Sequence, residues 1–348
     1  MPTTNPTHRR WPAEWEPQSG VQLTWPHAQT DWAEFLASAE AAFGVLGSVI
    51  SQYTKLLVVC LDTEHAHHAH EQLCRSGANP DHLHYAFAPC NDTWTRDHGA
   101  ITVLEAGQPH LLDFRFNGWG GKYPAALDDQ INRTLHQQGV FGETPLTTLD
   151  WVLEGGSIDS DGAGTILTTQ QCLLTPTRNP ELDRSTIEHH LCAALGAERV
   201  LWLEHGHLQG DDTDGHVDTL ARFCDPATIA YVQCNEDYDP HYNALKAMEE
   251  QLGELRQRNG EPYRLIPLPM PAPFFAGEHR LPATYANFLI LEQAILVPHY
   301  QDPADAVADA TLQAVFPERD IVGVDSREFI TQGGSLHCLT MQFPAGVL

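Results

Sequence analysis

The feature that most constrains this chain is recurrence. Strand signals and one amphipathic helix alternate in about five rounds, with no low-complexity linker between them. The first round reads as strand Gly20 to Trp25, helix Trp32 to Thr54, strand Lys55 to Leu61, helix Glu64 to Arg75 and strand His82 to Phe87. The second has paired strands Ile101 to Glu105 and His110 to Phe116, a glycine-rich turn to Gly121, and helix Ala125 to Gln138. A hairpin of Trp151 to Ile158 with Thr165 to Thr169 opens the third, followed by helix Glu181 to Leu195, opened by Pro180, and strand Arg199 to Leu203. Strand Thr228 to Gln233, helix Tyr242 to Leu252 and strand Tyr263 to Leu268 continue the pattern. Ala286 to Leu291, Ala294 to Val297, helix Pro303 to Phe316 and Asp320 to Val324 complete it. The expectation is an α/β fold of repeated strand-strand-helix-strand units, one domain over 11–348 behind a flexible N-terminus at 1–10.

Charge narrows the partners. Asp and Glu total 46 against 19 Lys and Arg, a formal net charge of −27, which repels nucleic acid and anionic membranes and attracts small cations. No apolar run approaches a membrane span, and Met1 to Arg10 lacks the apolar core of a signal peptide. Eight cysteines without a Cys-x-x-Cys pair read as reduced core thiols, so a cytoplasmic protein is expected.

Chemistry concentrates in Gly210 to Phe223. A turn of Asp211, Asp212, Asp214 and Gly215 leads into His216, Asp218 and Leu220, which on a strand would share one face and place a base beside an acid. Cys338 follows a Gly-Gly-Ser turn and is the candidate nucleophile, although a lone cysteine is ordinarily a small buried hydrophobe. Asp97 and Glu154 are carboxylates beside glycines, whose everyday role is turn formation. Trp94 and Trp119 stand in polar loops, where an aromatic wall for a cation competes with a core role. A metal-dependent hydrolase built on His205, His207 and the aspartates up to His216 is a rival, but the spacing matches no familiar ligand motif. The His-rich helix Glu64 to Glu71 reads as a solvated face.

Six segments resemble one family when taken in order: Trp11-Pro12-Ala13-Glu14-Trp15-Glu16-Pro17, Trp94-Thr95-Arg96-Asp97-His98-Gly99, Phe116-Asn117-Gly118-Trp119-Gly120-Gly121, Glu154-Gly155-Gly156, Gly215-His216-Val217-Asp218 and Gly333-Gly334-Ser335-Leu336-His337-Cys338. They are similar to the agmatine deiminase and bacterial-type peptidylarginine deiminase family of guanidine-modifying enzymes. The resemblance implies a fivefold pseudosymmetric α/β propeller, the pentein fold. It also implies Cys338 as nucleophile, His216 as acid/base, Glu154 as partner of His216 or of the guanidinium, and Asp97 with Asp218 as the guanidinium clamp. Asp212 stands where agmatine-specific relatives often carry glutamate, and Trp94 and Trp119 would border the substrate. A small cationic guanidine is the expected partner, agmatine first and peptidyl-arginine second, with no metal or organic cofactor and a possible homo-oligomer. A polyamine binder without activity is the remaining alternative, since the acidic field alone would serve it.

Overall fold

The structure, a computed structural model, describes residues 9–348. Most of the expected N-terminal tail therefore lies outside the described residues. Its last two residues depart from the expectation of flexibility: Arg9–Arg10 pair antiparallel with Leu104 and Glu105, and ion pairs to Glu105 and Glu16 fasten them.

Five sheets of three or four strands and one two-stranded ribbon make up the β structure of the described residues. Each sheet has the same connectivity, an antiparallel pair followed by a parallel partner reached through a helix. Ile101–Glu105 and Gln108–Arg115 are antiparallel, and Ile131–Gln137 leads to the parallel strand Leu146–Val152. Ile158–Ser160 and Thr165–Thr169 continue through Arg184–Leu195 to Arg199–Leu203. Ala221–Asp225 and Thr228–Val232 continue through Tyr242–Glu254 to Arg264–Leu268. Leu289–Ile290 and Ala294–His299 continue through Ala304–Val315 to Asp320–Asp325. In the remaining sheet the last strand of the chain, Thr340–Pro344, supplies the antiparallel partner of Gln18–Thr24. Leu56–Cys60 and Leu83–Phe87 follow in parallel, so the second strand of the described chain and its last share one sheet. Leu56–Cys60 is buried along its whole length, as a strand with parallel neighbours on both sides should be.

Side-chain capping explains where elements start. The helix expected from Glu181 begins instead at Arg184, because the Asp183 carboxylate accepts the Thr186 N–H at 2.8 Å. Ala125 to Gln138 is only partly helical. Asp128 and Asp129 accept the backbone amides of Asn91 (2.6 Å) and Phe116 (2.8 Å), and regular helix starts at Ile131. The strand expected through Ile158 stops at Val152, whose N–H and carbonyl are both taken by the Asn179 amide. His216 to Leu220 is not a strand. Val217–Thr219 is a 3₁₀ turn, with the Leu220 N–H on Val217 O and the Thr219 hydroxyl on His216 O, and the strand begins at Ala221.

One further departure concerns Ala33–Tyr53, which by length and composition is apolar enough to cross a membrane. Here it is a core element. Phe43, Leu46 and Ile50 are fully buried, and the Phe43 ring packs edge-on against Trp25, Trp32 and Phe329 at 5.4–6.0 Å. Trp32 in turn lies 5.9 Å from Trp94, so this cluster backs the loop that carries Asp97. Phe43→Ala should destabilise the protein by about 3–5 kcal/mol, read as a lowered urea midpoint; a loss below 1 kcal/mol would show the cluster to be loosely packed.

Candidate active site

Short irregular segments between the sheets carry every charged group of the site. Asp97 sits in the one-turn helix Thr95–His98, Glu154 opens the 3₁₀ turn Gly155–Ser157, and Asp218 lies within Val217–Thr219. Cys338 closes the loop after Gly333-Gly334. The Arg96 N–H donates to Cys338 O at 3.1 Å, which ties the Asp97 turn to the cysteine turn. The Arg96 guanidinium points away, donating to His337 O.

Glycines bring these segments together. A Cβ on Gly156 would lie 2.6 Å from His216 Nδ1, 2.8 Å from Asp97 Oδ1 and 3.1 Å from Asp218 Oδ2. One point in the backbone thus touches three of the five candidate residues, and any side chain there would displace them. Gly334 plays the same part on the other side, where a Cβ would meet the Trp94 ring at 2.3 Å and Cys338 Cβ at 3.0 Å. His216 and Asp218 therefore converge as expected, but through a turn rather than along a strand face.

Each carboxylate has a distinct set of partners. Asp97 accepts the Trp119 indole N–H at 2.9 Å and the Gly156 N–H at 3.0 Å, so Trp119 is a support for Asp97 rather than only a wall. Trp119 reaches that position with φ +53° between glycines that also have positive φ. Glu154 is gripped by Arg178 at 2.7 and 3.0 Å, and Arg178 extends to Asp214 at 2.7 Å. Asp218 Oδ2 accepts from His337 Nδ1 at 2.7 Å, while its Oδ1 is buried without a partner. Cys338 Sγ receives the Asn287 amide at 3.2 Å and lies 3.6 Å from Asp218 Oδ2. His216 Nδ1 stands 3.5 Å from Asp97 Oδ1, beyond a good hydrogen bond, and both its ring nitrogens are unpartnered.

Burial sets the protonation pattern. It lowers His216 to about 3 and pushes the Cys338 thiol well above its ordinary value, with Asp218 and Asp97 adding to the latter. Asp97 is raised well above the usual carboxylate range by burial and by Asp218. Burial raises Glu154 too, against the pull of Arg178. Asp218 goes the other way: burial opposes its charge, but the His337 hydrogen bond prevails and holds it low. Burial thus disfavours the charged forms of both His216 and Cys338.

A narrow cleft leads to Cys338, lined by Asp31, Asp92, Asp97 and Asp212, by Trp94, Trp119 and Tyr123, and, among the described residues, by no lysine or arginine. Asp212 lies at its mouth, where Tyr123 donates to it at 2.5 Å. Asp92 is held by Trp32 and raised to about 7, burial being the main cause.

The rival metal cluster disperses. His205 and His207 are exposed, Asp211 caps the Thr213 and Gly215 amides, and Asp214 pairs with Arg178 and Lys122. Among the described residues one group could offer metal ligands, Glu154, Cys172 and His216, whose donor atoms lie within 4.8 Å of one another. Glu154 is already engaged by Arg178 there. Three of the four histidines of the His-rich helix have partners: His65 at Pro26 O, His68 at Glu40 and His70 at Tyr85. Sequence reasoning missed Arg178, Asn287, His337 and Tyr123. Glu14 and His337 lay inside quoted motifs without a role, and nothing around Arg178 or Asn287 marked them.

Comparison with known proteins agrees with this geometry. The profile of the Porphyromonas-type peptidyl-arginine deiminase family matches residues 10–344. The agmatine deiminase of Pseudomonas aeruginosa (strain LESB58) is 34% identical, over 97% of this chain and 95% of its own length. A Porphyromonas gingivalis structure provisionally named an arginine deiminase is 48% identical at TM-score 0.91, covering 98% of this chain and 99% of its own. The substrate-bound structure of a cysteine-to-serine C. jejuni agmatine deiminase is 36% identical at TM-score 0.90, covering 98% and 97%. The chain belongs to the Porphyromonas-type peptidyl-arginine deiminase family.

Proposed function

We propose that this protein hydrolyses the guanidinium of agmatine to N-carbamoylputrescine and ammonia through a covalent intermediate on Cys338. The observation that carries the reading is the cleft: four aspartates and, among the described residues, no lysine or arginine line a path to the buried Cys338, whose Sγ lies 3.6 Å from Asp218 Oδ2. A guanidinium is a planar cation that stays protonated in water, so carboxylates must hold it. Agmatine adds a second positive charge at its far end, which suits Asp31 and Asp212 at the mouth. Free arginine would bring a carboxylate into the same acidic surroundings. Peptidyl-arginine is the second reading, favoured by a 45% identical structure provisionally named a peptidyl-arginine deiminase.

The resting protonation pattern suggests the order of proton transfers. Asp97 and Asp218 repel each other when both are charged, and a guanidinium between them relieves that repulsion while favouring thiolate at Cys338. The thiol proton passes to His216, and the thiolate adds to the guanidinium carbon to give a neutral tetrahedral adduct. His216 returns the proton to one nitrogen, and ammonia leaves a cationic S-alkylthiouronium. His216 then accepts a proton from water as hydroxide adds to the same carbon. Collapse breaks the C–S bond, restores Cys338 and releases the ureido product; the net reaction of guanidinium and water yields ureide and ammonium. General acid/base assistance by His216 is worth about 10²- to 10⁴-fold. Glu154, fixed by Arg178, would supply the negative potential that steadies His216 when charged.

The five repeated units support a fivefold pseudosymmetric α/β propeller in a single domain, with the site where their connecting turns meet. Eight free cysteines support residence in the reducing cytoplasm.

Ammonia release from agmatine, arginine and an arginyl peptide tests the proposal. Agmatine should be the preferred substrate, and Cys338→Ala should lose about 10³-fold or more; preferential turnover of the peptide would establish the second reading, and an active mutant would end both. The thiolate absorbance that wild type shows over Cys338→Ser should titrate above an ordinary thiol in the free protein. It should shift to lower pH when an unreactive cationic guanidine binds; an unmoved midpoint would rule out activation by the substrate.

A further inference from the structure

Behind the cleft lies a second layer of charge. The ring of His337 is clamped between two carboxylates, Nδ1 against Asp218 Oδ2 at 2.7 Å and Nε2 against Glu14 Oε2 at 2.8 Å. All three residues are buried. Glu14 comes from the Trp11 to Pro17 segment at the other end of the chain, where its Oε1 accepts the Ile290 N–H at 2.6 Å and its Oε2 also receives the Arg222 guanidinium. The groups facing His337 are thus Glu14, Asp218, Arg222 through Glu14, Asp159 behind Arg222, Arg96 on its carbonyl, and the neighbouring Cys338.

Ionised carboxylate oxygens only accept hydrogen bonds, so two such contacts require both ring nitrogens to donate. Direct donors favour the ionised form of both carboxylates, Arg222 on Glu14 and the His337 ring on Asp218. Burial works against Glu14, but Arg222 and His337 lower it far below the ordinary range, and Asp218 is also lowered. A neutral ring would set a nitrogen lone pair against a carboxylate.

Asp97 and Asp218 differ in what orients them. Asp97 is fixed at both oxygens, by Trp119 and Gly156. Asp218 has a strong donor at Oδ2 alone, His337, and its buried Oδ1 has no partner. Building on the deiminase reading, we propose that His337 is a positioning residue, an imidazolium held by Glu14 that fixes the Asp218 carboxylate beside Cys338 for the substrate guanidinium. The Trp11 to Pro17 motif then serves the reaction without touching the substrate.

Calorimetric titration of agmatine into Cys338→Ala protein, alone and combined with His337→Gln or Glu14→Gln, tests this. Each second change should weaken agmatine binding about tenfold, the scale of one charge-assisted hydrogen bond. Glu14→Gln keeps an acceptor for Nε2 and nearly the same volume, so it carries the test if His337→Gln does not fold. In protein labelled with ¹⁵N-histidine, the His337 ring at neutral pH should show two protonated nitrogens, and Glu14→Gln should remove one proton. Unchanged affinity in a folded second variant, or a neutral ring in the wild type, would overturn the proposal. Absence of agmatine binding to Cys338→Ala itself would instead overturn the deiminase reading on which it rests.

Discussion

Burying several carboxylates around one thiol is the constraint on which this structure depends. A carboxylate removed from water costs several kcal/mol unless partners replace its hydration. Asp97, Glu154, Asp218 and Glu14 are all 5% exposed or less, so the fold has to supply those partners from its interior. It does so with two buried arginines, Arg178 and Arg222, with His337, with the Trp119 indole and with the Gly156 amide. These partners come from segments distant in the chain. Glu14 and His337 are 323 positions apart, and Trp119 reaches Asp97 across 22. Strand closure between Gln18–Thr24 and Thr340–Pro344 brings the first of these pairs within reach.

The same constraint accounts for the glycines. Where three functional groups meet within about a Cβ's reach of Gly156, no side chain fits, and Gly334 leaves room for Trp94 against Cys338 in the same way. Glycine runs that look like simple turns are points of close approach. They let short loops, rather than long flexible ones, hold charged groups at fixed separations, which is what positioning a planar cation requires.

Electrostatics then divides the site into two zones. Deep in the cleft burial works against charge, raising Asp97 and Cys338 and lowering His216 from their ordinary values. At the mouth, Asp31 and Asp212 are only partly covered or exposed, and, among the described residues, no lysine or arginine lines the wall. On the proposed function, a cation drawn inwards by the second zone would complete the charge balance of the first and so couple recognition to activation of Cys338.

Local chemistry is what the sequence by itself determined. Period-two and period-3.6 apolar patterns placed the long helices, most of the strands and their repeated order, but not the strands Ala221–Asp225 and Thr340–Pro344 or most of Leu146–Val152. Six motifs picked out Asp97, Glu154, His216, Asp218 and Cys338, because residue type and flanking glycine are visible along the chain. Boundaries slipped where a side chain outcompeted the backbone pattern, as at Asp183, Asn179 and the Val217–Thr219 turn. Tertiary structure alone decided which of 20 histidines would be clamped between two acids, that Arg178 rather than His216 takes up Glu154, and that Asn287 reaches the thiol. The physical reason is that desolvation and charge compensation depend on separation in space. Packing sets those separations, and neither burial nor ion-pair partners have a periodicity that can be read along the chain.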